Sequence, residues 1–313
     1  MAGRHVPLRA KFSVPKLSVG TRGLRNCIAK LYQVVYLGRT MERRHIKWIP
    51  LLLAGLFFAY QYFSSEKFVN PETGRASHVG MSTRQEALLG LQSYQQVLAQ
   101  SESIDSGPEL ETVKRVASRL AKATGTAGAD FDWQVSLIRS PQVNAFCLPG
   151  GKIVVYTGIL PVTQNEAALA TVLGHEMAHA TSRHGSQRVL QQNLAQTALT
   201  GVAMSLSDMD YDKQRVVMGA LGAGTQFGVL MPFSRKDESE ADAIGLLYMA
   251  RAGYDPRESI RFWERMENAG SRQPPEFLSS HPSHGTRIQQ LQVEMPKAIE
   301  EYNKSNHAEA PGS

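Results

Sequence analysis

The residues of this chain best suited to chemistry are His175, Glu176 and His179, in the run His175-Glu176-Met177-Ala178-His179. Residues four apart share a helix face, so the two imidazoles can aim at one point. Such a pair is a ready zinc site, and Glu176 sits beside it, placed to take a proton from a zinc-bound water. The chemistry implied is metal-assisted hydrolysis of a peptide bond. Glu166 to Gly174 carries apolar residues at helical spacing, with small Gly174 against the first histidine. A buried helix does not hold three ionisable residues in five positions without partners, so a solvated face is the weaker reading.

A catalytic zinc takes three protein ligands and leaves the fourth place to water. The third lies about sixty residues on, in Ser234-Arg235-Lys236-Asp237-Glu238-Ser239-Glu240-Ala241-Asp242. This segment reads as a helix with Ser234 as N-cap. Glu238 and Asp242 share a face, and Ala241 and Gly245 keep that side slim. Glu238 is assigned to the metal. Asp242 is assigned to the outer nitrogen of a ligand histidine, His175, where it would fix the tautomer. Glu240 competes as third ligand, but two residues from Glu238 it faces elsewhere. His184, five residues past the second ligand and off its face, reads as structural.

Around these residues the pattern is mixed, α+β, and mainly helical. Thr83 to Ala123 reads as two helices broken at Ser106-Gly107-Pro108, and Trp133 to Ile138 alternates like a strand. Pro149-Gly150-Gly151 is turn chemistry before the β-branched strand Lys152-Ile153-Val154-Val155-Tyr156. That strand is expected beside the metal helix, with an open edge to which an extended substrate adds by backbone hydrogen bonds.

These motifs resemble the membrane-associated zinc metallopeptidases of the HtpX, BepA and mitochondrial OMA type, relatives of the CAAX prenyl proteases. The resemblance covers about residues 85 to 295 and rests on His175–His179, on the Ser234–Asp242 run with Gly245, and on Asn144 to Gly158. It implies a zincin fold of the gluzincin kind with a small sheet beside the metal helix. It also implies one zinc per chain on His175, His179 and Glu238, with Glu176 as general base. The implied activity is endopeptidase quality control of misfolded or unassembled membrane and envelope proteins. A chaperone-like protein that binds clients and keeps its protease latent is the alternative. Some relatives carry a His-Pro segment near the metal, as this chain does at His281-Pro282. His281 is therefore expected to approach the zinc as a latch or transition-state stabiliser, with Arg287 on the oxyanion or paired to the glutamate helix. Cys147 raises a rival, because peptide deformylases use a cysteine upstream of the same motif. Its Phe-Cys-Leu-Pro context and its spacing of 28 residues from His175 do not match.

The net charge of +6 is unevenly spread. Residues 1–47 hold eleven Lys/Arg against one acid, Glu42, so the rest of the chain is near −4. The mildly acidic remainder gives no support to nucleic-acid binding. Residues 48–65 are uncharged, with Trp48 at one end and Tyr60 and Tyr62 at the other, and read as an uncleaved membrane anchor. Arg43, Arg44 and Lys47 then place the peptidase across the membrane from the cytoplasm. The favoured compartment is the bacterial inner membrane with a periplasmic catalytic domain. The alternative is the mitochondrial inner membrane facing the intermembrane space, with residues 1–40 as a transit peptide. Residues 66–82 read as a polar linker, 83–302 as the peptidase domain, 195–233 as a buried or lid-like helical pair, and 303–313 as a disordered tail.

Overall fold

The computed structural model describes residues 47–228, 233–269, 276–281 and 286–309. The basic segment up to residue 46 and the loop carrying Pro282 and His284 lie outside the described residues.

Helix α1 (Trp48–Ser64) comes first. Ile49, Leu52, Leu56 and Phe63 are all exposed on it. The expected anchor is thus a 17-residue helix. Among the described residues no helix is long and apolar enough to cross a membrane.

Strands β1 (Glu66–Val69) and β2 (Ala76–Val79) follow as an antiparallel hairpin. This corrects the linker expected at 66–82. Pro71 and Gly74, which read as linker residues, belong to its turn. Gly74 has φ +70° and donates to the carbonyl of Asn70 at 2.8 Å.

Helix α2 (Thr83–Ala99) opens on a capping box between Ser82 and Gln85. A two-residue strand β3 (Ser103–Ile104) leads to α3 (Pro108–Ala123), which starts at Pro108 after Gly107 (φ +121°). The break expected at Ser106–Pro108 therefore separates α2 from α3. Strands β4 (Gln134–Ile138), β5 (Ala145–Leu148) and β6 (Lys152–Tyr156) complete a four-stranded sheet in the order β3-β4-β6-β5. Gly150 and Gly151, at φ +77° and +89°, make the β5–β6 turn.

The sheet overturns one expectation. β6 runs parallel to β4 and antiparallel to β5, so Lys152, Ile153, Val154, Val155 and Tyr156 are hydrogen-bonded on both sides. The open edge belongs to β5. Both strands are apolar runs, so composition does not tell the interior strand from the edge strand. Lys152 is itself buried, its Nζ 2.6 Å from the Asp132 carboxylate.

A one-turn helix α4 (Leu160–Thr163) precedes the central helix α5 (Glu166–Thr181), whose first turn is capped by the Asn165 side chain accepting from Ala168 N at 2.8 Å. Leu169, Val172, Leu173 and Met177 on α5 are fully buried among α3, β5 and the later helices. Ser182 and Arg183 turn the chain into α6 (His184–Ser205), with Arg183 left-handed at φ +55°. Arg183 is held there by Glu86 (2.9 Å), Glu66 (2.6 Å) and the Met81 carbonyl (2.6 Å). α1 packs along α6, where Ala54 faces Gly201.

Helix α7 (Tyr211–Gly228) follows, with Tyr211, Val216 and Leu221 exposed, so its first part is an outer helix and not a buried one. Part of the expected lid falls outside the described residues. Helix α8 (Arg235–Arg251) crosses α5, capped as expected by Ser234 Oγ accepting from Asp237 N at 3.2 Å. The last elements are α9 (Glu258–Ala269), the short α10 (Glu276–Ser280) and α11 (Arg287–Glu309). α11 continues past Asn303, where a disordered tail was expected. Ser305 Oγ on it reaches back to the Ala250 carbonyl at 3.1 Å, so the tail's first part has packing partners.

Candidate metal centre

The crossing of α5 and α8 is closer than side chains would allow. A Cβ on Gly174 would lie 2.9 Å from the Gly245 carbonyl oxygen, and one on Gly245 would lie 2.7 Å from the His175 nitrogen. Only glycine fits at both positions, and the contact brings the Glu238 carboxylate to the histidine pair.

His175, His179, Glu238 and His281 converge there. Each offers one donor atom, and all four atoms lie within 4.8 Å of one another. His175 Nε2 is 3.5 Å from Glu238 Oε2, and His179 Nε2 is 3.4 Å from Glu238 Oε1. His281 Nδ1 is 3.0 Å from Glu238 Oε1 and 3.2 Å from His175 Nε2. All four residues are buried. Two imidazoles and a carboxylate with donor atoms this close fit the ligand set and size of a zinc ion.

Glu176 lies beside this cluster. Its Oε1 is 3.3 Å from His281 Nε2 without hydrogen-bond geometry and has no other partner among the described residues. A buried carboxylate oxygen with no partner is a free proton acceptor aimed at the cluster. Burial raises the Glu176 pKa above the ordinary carboxylate value, opposed by the charges of His281 and His175.

The His175 flank is a short ionic stack. Nδ1 of His175 meets Asp242 Oδ1 at 2.9 Å, on the outer nitrogen assigned to it from the spacing. Arg287 Nε pairs with Asp242 Oδ2 at 2.7 Å, and its Nη2 with Glu238 Oε2 at 2.5 Å, while its guanidinium lies 3.9 Å above the Trp263 ring. Of the two roles foreseen for Arg287, its contacts are those of the salt bridge to the glutamate helix. Burial favours a neutral imidazole, but the hydrogen bonds from Asp242 and Glu238 push the His175 pKa up to about 10. Burial also opposes ionisation of Glu238, yet bonds from His175, His179 and His281 hold its carboxyl far below the usual range.

The His179 flank was not foreseen. Its Nδ1 meets Nδ1 of His184 at 2.9 Å, and His184 Nε2 meets Glu240 Oε2 at 2.9 Å. Glu240 also accepts from Thr73 Oγ1 (2.6 Å) and Asn70 Nδ2 (3.2 Å), and Arg75 Nη2 lies 2.5 Å from it. His184 is as buried as any residue in the core, and burial of a histidine five residues past a ligand was the available signal. Burial lowers the His179 pKa well below the usual imidazole range, Glu238 opposing.

A cavity of about 390 Å³ opens on the cluster. Phe146, Cys147 and Leu148 of β5 border it, and Glu176, His179 and His281 line it. The edge strand and the metal cluster thus share one cleft. The backbone N–H of Cys147 donates to Glu176, and burial pushes its thiol pKa upward, so Cys147 shapes the cleft wall. It is not one of the four converging donors.

Comparison with known proteins agrees with this geometry. The model of peptidase family M48 matches residues 109–295. The mitochondrial metalloendopeptidase OMA1 of Schizosaccharomyces pombe is 33% identical over 261 residues, 82% of this chain and 74% of that protein. The human metalloendopeptidase OMA1, mitochondrial, is 31% identical over 270 residues, and this chain spans about half its length (51%). The beta-barrel assembly-enhancing protease of Yersinia pestis is 30% identical over 223 residues, 70% of this chain and 45% of that protein. The matched region carries the histidine helix, the glutamate helix and the edge strand, and the chain belongs to peptidase family M48 as a metalloendopeptidase of the kind those relatives represent.

Proposed function

We propose that this chain is a zinc endopeptidase in which His175, His179 and Glu238 hold one zinc ion and Glu176 is the general base. The observation that carries the reading is the convergence of those donors beside an unpartnered Glu176 oxygen, in a cleft bordered by an edge strand. When bound, zinc supplies a Lewis acid that brings the pKa of a water to about 7 and polarises the scissile carbonyl. The chain's own residues do the rest. β5 takes up an extended substrate by backbone hydrogen bonds, which read shape more than sequence. Glu176 takes the proton of the attacking water at its free carboxylate oxygen and hands it to the leaving amine nitrogen. Asp242 holds His175 with its donor nitrogen facing inward.

His281 stands among the donors, and that position supports a latch. Held there it fills the place a substrate carbonyl needs, so activation requires it to move. The substrates that suit an edge strand in a confined cleft are unfolded or unassembled chains, in keeping with quality control of membrane proteins. The exposed apolar flank of α1 is the surface by which the domain meets a bilayer. The mitochondrial metalloendopeptidases that match more than four-fifths of this chain favour a mitochondrial membrane over a bacterial one. The substrate class is tested by offering one globular protein both native and reduced and alkylated. Cleavage confined to the unfolded form is expected, and equal cleavage of the native form contradicts it.

A further inference from the structure

The two histidines are not held alike, and the second hold lies in a buried cluster that the hydrolytic chemistry does not use. His184, Asp237 and Glu240 bring three donor atoms within 4.8 Å of one another. A second metal is the obvious occupant, but the cluster already has its cation. Arg75 Nη2 lies 2.5 Å from Glu240 Oε2 and 3.3 Å from Asp237 Oδ1. The Glu240 carboxylate is further supplied by Thr73 Oγ1, Asn70 Nδ2 and His184 Nε2. A metal would have to displace a half-buried guanidinium from a carboxylate whose lone pairs are already taken.

Proton bookkeeping gives the cluster a different task. Glu240 offers only acceptors, so the His184 nitrogen facing it at 2.9 Å, Nε2, carries a hydrogen. The other ring nitrogen of His184, Nδ1, is on the side of His179. That Nδ1 is 2.9 Å from Nδ1 of His179, and two ring nitrogens at that distance need one hydrogen between them. With His179 Nε2 kept as the metal's donor, that hydrogen sits on His179 Nδ1. This leaves the lone pair on His179 Nε2, the atom that faces Glu238.

We propose that His184 and Glu240 are positioning residues that fix His179 in its Nδ1–H form, with Glu240 held in place by Arg75, Thr73 and Asn70 of the β1–β2 hairpin. The inference rests on the reading of His179 as a zinc ligand. It makes the hairpin, which follows α1 directly, part of the support of the metal site. Asp242 does the same for His175 in one step, and His184 and Glu240 do it for His179 in two.

The test is made on the full chain. Zinc affinity is measured by chelator competition for the unsubstituted protein, His184→Phe, His184→Gln and Arg75→Gln, with circular dichroism as the check on folding. Loss of an outer-sphere partner of this kind weakens zinc binding about 10- to 100-fold. His184→Phe should show that loss, and His184→Gln should recover most of it, because its amide oxygen again accepts from His179. Arg75→Gln should weaken binding to a smaller extent. Equal affinity in His184→Phe and the unsubstituted chain overturns the inference, as does equal weakness in His184→Phe and His184→Gln. Should the variants not fold, ¹⁵N spectra of the histidine rings in the unsubstituted, zinc-loaded chain decide the matter. A hydrogen on His179 Nδ1 supports the inference, and a hydrogen on Nε2 overturns it. An unsubstituted chain that binds no zinc overturns it together with the reading it rests on. A chain that binds zinc and cleaves, but is indifferent to residue 184, overturns the inference alone.

Discussion

The His175 flank and the His179 flank of the metal cluster hold their imidazoles with the same chemistry but very different parts. On the first, Asp242 and Arg287 make a stack drawn from α8 and α11. On the second, His184, Glu240 and Arg75 are drawn from α6, α8 and the β1–β2 hairpin. Helix α8 serves both. Residues 238 and 242 lie on one face and residue 240 on another, so one helix reaches the inner atoms of the cluster on one side and the outer support on the other. The lesson is that a polar residue facing away from a site can still govern it, provided that another side chain closes the gap.

The largest effect should come from removing what the two flanks share. Dialysis against a chelator is expected to abolish cleavage and lower the melting temperature, with both restored by zinc; cleavage that survives complete metal removal would break the comparison at its centre. Next is the His175 flank. Arg287 is buried against two carboxylates, and removing one partner of a buried pair costs about 3–5 kcal/mol. Denaturant unfolding of Arg287→Met checks this, and a change under about 1 kcal/mol would show that the stack is not what holds Asp242.

A smaller loss is expected at the helix crossing, where Gly245→Ala forces a Cβ against the His175 backbone at a cost of about 1–3 kcal/mol. Gly185, in α6, has open space around its Cβ position, so Gly185→Ala should be neutral or stabilising by up to about 1 kcal/mol. Equal effects at the two glycines would show that the crossing has slack. On the cleavage rate, the smallest effect is assigned to His281. His281→Ala should change the cleavage rate several-fold while leaving zinc bound, and unchanged kinetics would remove its role as a latch.

What could be read from the sequence was whatever depends on spacing within one element. His175 and His179 share a face because they are four apart, Asp242 joins Glu238 for the same reason, and Ser234 caps as its type predicts. Gly174 and Gly245 signalled the close crossing by their size. The hidden parts depend on which elements meet. Glu240 was correctly turned away from Glu238, but the hairpin waiting on that side is made from residues that resemble a linker. Pro71 and Gly74 look the same in a turn as in a flexible tether. The substrate edge was assigned to β6 because its residues favour strand, whereas pairing order is set by the chain's path and left β5 outside. Likewise α1 has the composition of an anchor, and its packing along α6 could not be read from that composition.

The most direct test of the account is zinc content and casein cleavage in the full chain beside Glu176→Gln. The account predicts one zinc in each and a loss of cleavage of about 10²- to 10⁴-fold in the variant, the usual contribution of a general base. Cleavage by Glu176→Gln at the unsubstituted rate, or an absence of zinc in both, would contradict it.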